Sequence, residues 1–539
     1  MDPGKDAVSA AHIAKPSPVD AEAVKHGDIS AQLIGNERVT VTEEDNKRIR
    51  RQTDEVILVI LVWVYFLQIL DKTVLGYAAT YGLKEDTHLV GNQYSLVGSI
   101  QPIAQLAWLP FSSFLVVRVP HRILMPVLVL GWGIAETSIA ACSSFSGLLA
   151  ARFFLGLFEA GCLPMFGVIT SQWYRRAEQP LRVAAWYGTN GIATIVAAAL
   201  SYGLAHIQSP LLESWQIIFL VVGLLTIISA PFVYWKLDND IPSARFLSDE
   251  DKPKAVERLR ANQTGTGSRE FKWKQILELV LDPKTWVWLA MATFINVGAG
   301  VTNVFGPLIV NGLGFDKYTT SLLNIPYGFI LWAVTMITSW ACQRFKTKFI
   351  IMLLTVLPVI VGLAILYAVP RDGHTGALLA GYYLLSFLYG SVIVQLAWMV
   401  ANTAGSTKKS AVMSVYNAAA STGSIVGPLL FTDKDAPEYL PGLRTVLGFF
   451  IATFGIAVIQ TLYLAFLNRL QERRRVRNGK PAKLKDTSME DRYQDMEEYT
   501  GSVSVTEDAA EQGANHAQVG KNAFLDLTDR ENDEFVYVL

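Results

Sequence analysis

Residues 147–173 read GLLAARFFLGLFEAGCLPMFGVITSQW, an apolar run long enough to cross a bilayer that nevertheless carries two charges, Arg152 and Glu159. The two lie seven residues apart, close to two helical turns. Both side chains therefore fall on one helix face, roughly 10 Å apart along the axis. Gly156, between them, is expected to leave that face open. A charge at membrane depth costs several kcal/mol, and a chain carries that cost where the charges line a cavity or move something. A second pair, Asp71 and Lys72, stands at the far end of the first apolar segment. Two buried pairs of mixed sign read as a site for an anion and a proton.

Composition points the same way. Of 539 residues, 51% are hydrophobic and 17% charged, and the mean hydropathy is +0.31. Soluble domains carry about 25% charged residues, so this shortage is that of a polytopic membrane protein. The net charge of −1 conceals a segregation of basic residues into particular loops, and no nucleic-acid partner is expected. Cys142, Cys162 and Cys342 fall in or beside apolar segments at no metal-ligand spacing, which argues against a zinc site and a disulfide framework. The N-terminal stretch MDPGKDAVSAAHIAKPSPVD lacks the apolar core of a signal peptide, so insertion is expected to rely on the first membrane helix.

Spanning runs occur at 56–78, 93–115, 123–142, 147–173, 183–205 and 215–236, and resume at 286–310, 319–342, 349–369, 377–400, 410–431 and 445–468. Six, a gap, then six predicts an all-α membrane protein of twelve transmembrane helices in two six-helix bundles. The expected divisions are an N-terminal tail 1–55, a bundle 56–236, a central loop 237–285, a bundle 286–470 and a C-terminal tail 471–539. The even loops hold Arg118 and Arg122; Arg175, Arg176 and Arg182; Arg344, Lys346 and Lys348; Lys408 and Lys409. The odd loops offer Lys84, Lys317, Arg371 and Lys434, with nothing basic between the third and fourth spans, so both tails and the central loop are expected to be cytoplasmic. The clusters 47–51 and 473–477 fit that sidedness as topology anchors. Asn262-Gln263-Thr264 has the form of a glycosylation acceptor that would never meet its enzyme there. The central loop suggests two amphipathic helices around a TGTGS hinge. Most of both tails reads as disordered, but FLDLTDRENDEFVYVL at the end alternates enough to dock on something.

The halves correspond internally. Basic loops RVPHR (118–122) and RFKTK (344–348) hold equivalent places, as do the glycine-rich runs WYGTNGIATIVAAALSYG and AAASTGSIVGPLLF. With LDKTVLGYA (70–78), PFSSFLVVRVPHR (110–122), RFFLGLFEAG followed by Pro164, SQWYRR (171–176), WQIIFLVVG (215–223), ARFLS (244–248) and ANTAGSTKKS (401–410), the chain resembles the Major Facilitator Superfamily. Within it, the likeness is to the anion:cation symporter family and its fungal allantoate-permease-like branch. The superfamily's loop pattern, aspartate-arginine-x-glycine-arginine-arginine, is degenerate here: Val117 replaces the acid and Pro120 the glycine. The resemblance implies an aspartate-arginine pair on helix 1, and an arginine with a glutamate seven residues on in helix 4. Asp71-Lys72 and Arg152…Glu159 fall on those positions. Lysine in place of arginine turns a two-point grip on a carboxylate into a point charge.

Lys72, Arg152, Asn190 and Asn417 are the expected substrate-binding residues, and Asp71 and Glu159 the expected proton-coupling groups. Each has a plainer reading. Arg152 could be a structural arginine with Glu159 as its distant partner, Asp71 and Lys72 could neutralise one another, and Asn190 and Asn417 could be packing amides. Glu136, in the middle of the third run, is as readily a packing residue as a cavity one. No G-x-x-x-x-G-K-[ST] loop and no catalytic constellation is present, so neither a nucleotide-driven pump nor an enzyme is expected, and no cofactor or metal. The reading is a secondary active transporter, working as a monomer in the plasma membrane, that couples import of a small organic anion to protons. Allantoate-like ureides and nicotinate-like carboxylates are what the resemblance implies. The alternatives are a proton-driven exporter of a drug or secondary metabolite and a nutrient sensor with a transporter's body.

Overall fold

The computed structural model describes residues 41–175, 178–260, 272–345, 347–478, 527–533 and 535–539. Every regular element among them is helical. The chain enters through an amphipathic helix α1 (Glu43–Thr53), whose N-terminus is capped by the Thr42 hydroxyl accepting from the Asp45 amide. A π-helical turn, Asp54–Leu58, carries it into α2 (Val59–Thr80). There follow α3 (Leu83–Asp86), α4 (Gln93–Arg118), α5 (His121–Ile139), α6 (Phe145–Glu159), α7 (Cys162–Trp173), α8 (Gln179–Tyr187), α9 (Thr189–Leu204) and α10 (Ser214–Lys236). Two short helices, α11 (Asp251–Arg260) and α12 (Trp273–Leu281), lead to α13 (Pro283–Asn311), α14 (Lys317–Arg344), α15 (Lys348–Ala368), α16 (Thr375–Leu384), α17 (Leu388–Ala401), α18 (Ser406–Leu429) and α19 (Leu440–Arg477).

Three of the long runs are broken pairs: α6 with α7, α8 with α9, and α16 with α17. The first break falls directly after Glu159, where the sequence suggested one continuous helix. Its cause is local. Pro164 has no amide hydrogen to offer the carbonyl four residues back and its ring crowds that carbonyl, while Gly161 relaxes the backbone beside it. Counting each pair once, the described residues hold two sets of six long helices. Ten of the described helical stretches are long and apolar enough to span a bilayer. The remaining two, α4 and α18, are more polar because they face each other across the two halves. Ser99 donates to the Ile425 carbonyl at 2.9 Å and Ser95 to that of Phe431 at 2.6 Å. Large apolar side chains such as Phe114, Ile228, Leu354 and Leu462 stand exposed on the outer surface, as lipid-facing positions do.

The halves also meet along α9 and α14, through bare backbone. A Cβ on Gly191 would lie 2.5 Å from the Gly328 carbonyl oxygen, and one on Gly328 would lie 2.8 Å from that of Gly191. At the end of the bundle away from the chain termini the halves are zipped by Lys84–Asp433 at 2.6 Å, Tyr94 to the Val304 carbonyl at 2.8 Å, and Tyr81 with Ser321 at 2.8 Å.

At the terminal end the N-terminal half wears a collar of ion pairs. Arg48 meets Asp251 at 2.6 Å, Lys254 meets Asp45 at 3.0 Å, Arg182 meets Asp54 at 2.6 Å, and Arg258 bridges Glu178 and Asn46. The central loop thus supplies two amphipathic helices, one docked on α1 and one, α12, on the start of α18. The TGTGS hinge and Asn262 lie outside the described residues.

Candidate functional site

Asp71 lies in the interior of α2, well short of the helix end where the sequence reading put it. It is fully buried, and its Oδ2 accepts the indole hydrogen of Trp132 on α5. Lys72 does not neutralise it. Consecutive residues on a helix point about 100° apart, so Lys72 turns to α6, where its Nζ lies 3.6 Å from Oε2 of Glu159. That oxygen also accepts from Gln101 at 2.5 Å and Gln105 at 2.6 Å, both on α4. Of this ion pair only the lysine reaches open space, with its side chain 23% exposed against 0% for Glu159.

Gly156 explains how the glutamines arrive. A Cβ there would fall 2.4 Å from the Gln101 carbonyl oxygen, so α4 presses its backbone onto α6 at this residue. The face expected to be open is instead filled by α4. Arg152, two turns before Glu159, is buried, and its Nε and Nη1 find no acceptor among the described residues. Glu136 on α5 is buried with neither oxygen bonded, within Coulombic reach of Arg152 and Glu159. Asp71 joins the same electrostatic group. Four helices of one half therefore bring together Asp71, Lys72, Glu136, Arg152 and Glu159, with two glutamines and an indole as neutral donors.

Neither amide candidate has a hydrogen bond to these charged groups among the described residues. Asn190, on α9, spends its Nδ2 on the Tyr65 hydroxyl at 3.1 Å and the Tyr187 carbonyl at 2.7 Å. Tyr65 in turn sits among Trp186, Tyr187 and Phe166, with ring centroids 4.9, 5.9 and 6.0 Å away. Asn417 is half-buried on α18. The C-terminal half faces this centre with tyrosine–asparagine pairs: Tyr389 donates to Asn303 at 2.9 Å and Tyr382 to Asn324 at 2.8 Å. Gln101, Gln105 and Trp132 escaped the sequence reading, although a glutamine pair at i,i+4 inside an apolar run was a usable signal.

A cluster of this kind can exchange partners. Protonating Glu159 would remove the charge beside Lys72 and leave two cationic side chains, Lys72 and Arg152, short of partners.

Residues 61–428 match the model of the Major Facilitator Superfamily. An uncharacterized transporter of Schizosaccharomyces pombe is 32% identical over 455 residues, covering 83% of this chain and 85% of the relative. The thiamine pathway transporter of Saccharomyces cerevisiae is 31% identical over 508 residues, covering 92% and 87%. The allantoate permease of the same yeast is 27% identical over 455 residues, covering 81% and 82%. Among solved structures, a bacterial homolog of the human lysosomal transporter Spinster, inward-facing and unoccupied, superposes with a TM-score of 0.56 at 14% identity, over 78% of this chain and 98% of that one. That likeness concerns the fold. The helical halves, the family match over most of the spanning region and the fungal relatives agree: the chain belongs to the Major Facilitator Superfamily, beside fungal transporters that include allantoate permease.

Proposed function

We propose that the protein is a proton-coupled importer of a small organic anion, a carboxylate of the ureide or nicotinate kind. The observation that carries this reading is the Lys72–Glu159 ion pair in the same group as Arg152, whose Nε and Nη1 lack a partner among the described residues. In the empty carrier Glu159 occupies Lys72. A proton entering with the substrate neutralises Glu159, and the carboxylate takes over Lys72 and Arg152. Both loads then depart together on the other side, because the ion pair re-forms only when each has left. Buried lysine and arginine favour an anion over the cationic compounds an exporter of drugs would carry. The basic loops orient the termini and central loop toward the cytoplasm. Similarity to allantoate permease supports a carboxylate substrate. The plasma membrane is the proposed site and the monomer the working unit.

The test is uptake of a panel of labelled carboxylates into cells expressing the chain, at acid and neutral outside pH. Accumulation faster at acid pH and lost with a protonophore is the expected result. Accumulation that survives the protonophore overturns proton coupling.

A further inference from the structure

Residues 527–533 and 535–539 return to the C-terminal half at its terminal end and bury Thr528, Asp529 and Tyr537 against it. Asp529 is the centre. Its carboxylate bonds Lys284, in the first turn of α13, and Lys408, in the first turn of α18, the latter at 2.8 Å. Tyr537 donates to the same carboxylate at 2.9 Å. Beyond it the backbone continues the attachment. Val538 exchanges two bonds with Asn402 after α17, at 2.8 and 2.9 Å, and accepts from Trp398. The Leu539 carbonyl accepts from the Lys348 amide at the start of α15 at 2.7 Å. Asn468 on α19 bonds the Tyr537 backbone in both directions, at 2.8 and 2.9 Å.

Five helix ends thus converge on one short segment, and two of them belong to helices that touch the other half. α13 bears Val304, which meets Tyr94, and α18 bears Ile425, which meets Ser99. Burial alone would raise the Asp529 carboxyl, but the ammonium groups of Lys284 and Lys408 outweigh it and hold it below the usual carboxylate range. Asp282 and Glu278 beside the same lysines leave no cation in excess, so the charges are matched within the strap's own footprint.

We infer that residues 527–539 form a strap that ties the ends of α13, α15, α17, α18 and α19 together, so that the C-terminal half moves as one body. Without it, the force of opening would shear α13 and α18 away from the helices behind them instead of rotating the half as a whole.

The experiment uses the purified full chain, its Asp529→Asn variant, and a chain ending at residue 526 with a synthetic peptide of residues 527–539 added back. Amide hydrogen exchange is followed in the first turns of α13 and α18, and in α6 as a control. Leaving two buried lysines short of a partner is expected to speed exchange at α13 and α18 by about tenfold or more, with α6 unchanged. The shortened chain should behave alike and recover when the peptide is added. Equal acceleration in α6, no acceleration anywhere, or no recovery with the peptide overturns the strap. If Asp529→Asn fails to fold, the shortened chain with and without peptide decides the matter alone.

Discussion

The two halves of this molecule treat charge in opposite ways. Residues 59–236 hold five ionisable side chains at depth, and four of them, Asp71, Glu136, Arg152 and Glu159, keep at least one polar atom without a partner among the described residues. In the other half the helical interiors between Lys284 and Asn311, Lys317 and Arg344, and Lys409 and Leu429 contain no Asp, Glu, Lys or Arg. Its buried Lys284 and Lys408 stand at helix starts, each met by carboxylates. Charge that is fully matched holds structure, whereas charge left short of partners is available to a ligand or a proton. Under the proposed function, this difference would put coupling in the N-terminal half and leave the tyrosines and asparagines of the other half to shape and neutral contacts.

The strongest way to break that assignment is Arg152→Ala. Losing the incompletely bonded guanidinium should lower uptake by about 100-fold or more, with surface expression near normal. Uptake of wild-type affinity would make Arg152 scaffold. Glu159→Gln replaces the proposed coupling carboxylate with a permanently neutral amide. It should still exchange labelled substrate across the membrane while failing to concentrate it, and retained accumulation at acid pH would move the coupling proton to Asp71 or Glu136. Asp71→Asn disturbs the Trp132 contact that joins α2 to α5, so exchange and uptake should fall together, by roughly tenfold. In the neutral half, Tyr389→Phe removes one bond to Asn303 and should raise the substrate KM only a few-fold, with the pH dependence intact. A shifted pH profile there would show that the halves share the coupling.

The smallest effect expected is at the strap. Asp529, lowered by Lys284 and Lys408 and flanked by Asp282, Glu278 and Tyr537, contributes fully above the unfolded carboxylate value of about 4 and loses its contribution only as pH falls through its lower folded value. Protection at α13 and α18, taken relative to the intrinsic exchange rate of each amide at the same pH, should therefore stay constant from about pH 8 to 5, while transport changes over the same range.

What the sequence discloses and withholds follows from range. Spans, the charged positions inside them and the docking character of the final segment are local properties, and all were legible. Partner choice is not local. Asp71 and Lys72 are neighbours in the chain, yet the helix turns them toward different helices, and only the packing of α5 and α6 decides that one meets Trp132 and the other Glu159. Gly156 misled for the same reason: a missing side chain marks close approach as readily as open space, and here α4 fills it. Asn190 is legible as a buried amide, but its commitment to Tyr65 depends on a helix far away in sequence.

The contact between Gly191 and Gly328 has a mechanical consequence. Ordinary helices mesh like cogs, and turning one against the other means lifting teeth out of gaps. Here both surfaces are ground smooth at the point of touch, so the pair can act as a plain bearing, carrying load while one shaft rolls on the other. Its clearance is smaller than a methyl group. A single alanine on either side would put a pin through the bearing, stalling the motion without touching a charge, a proton or the substrate.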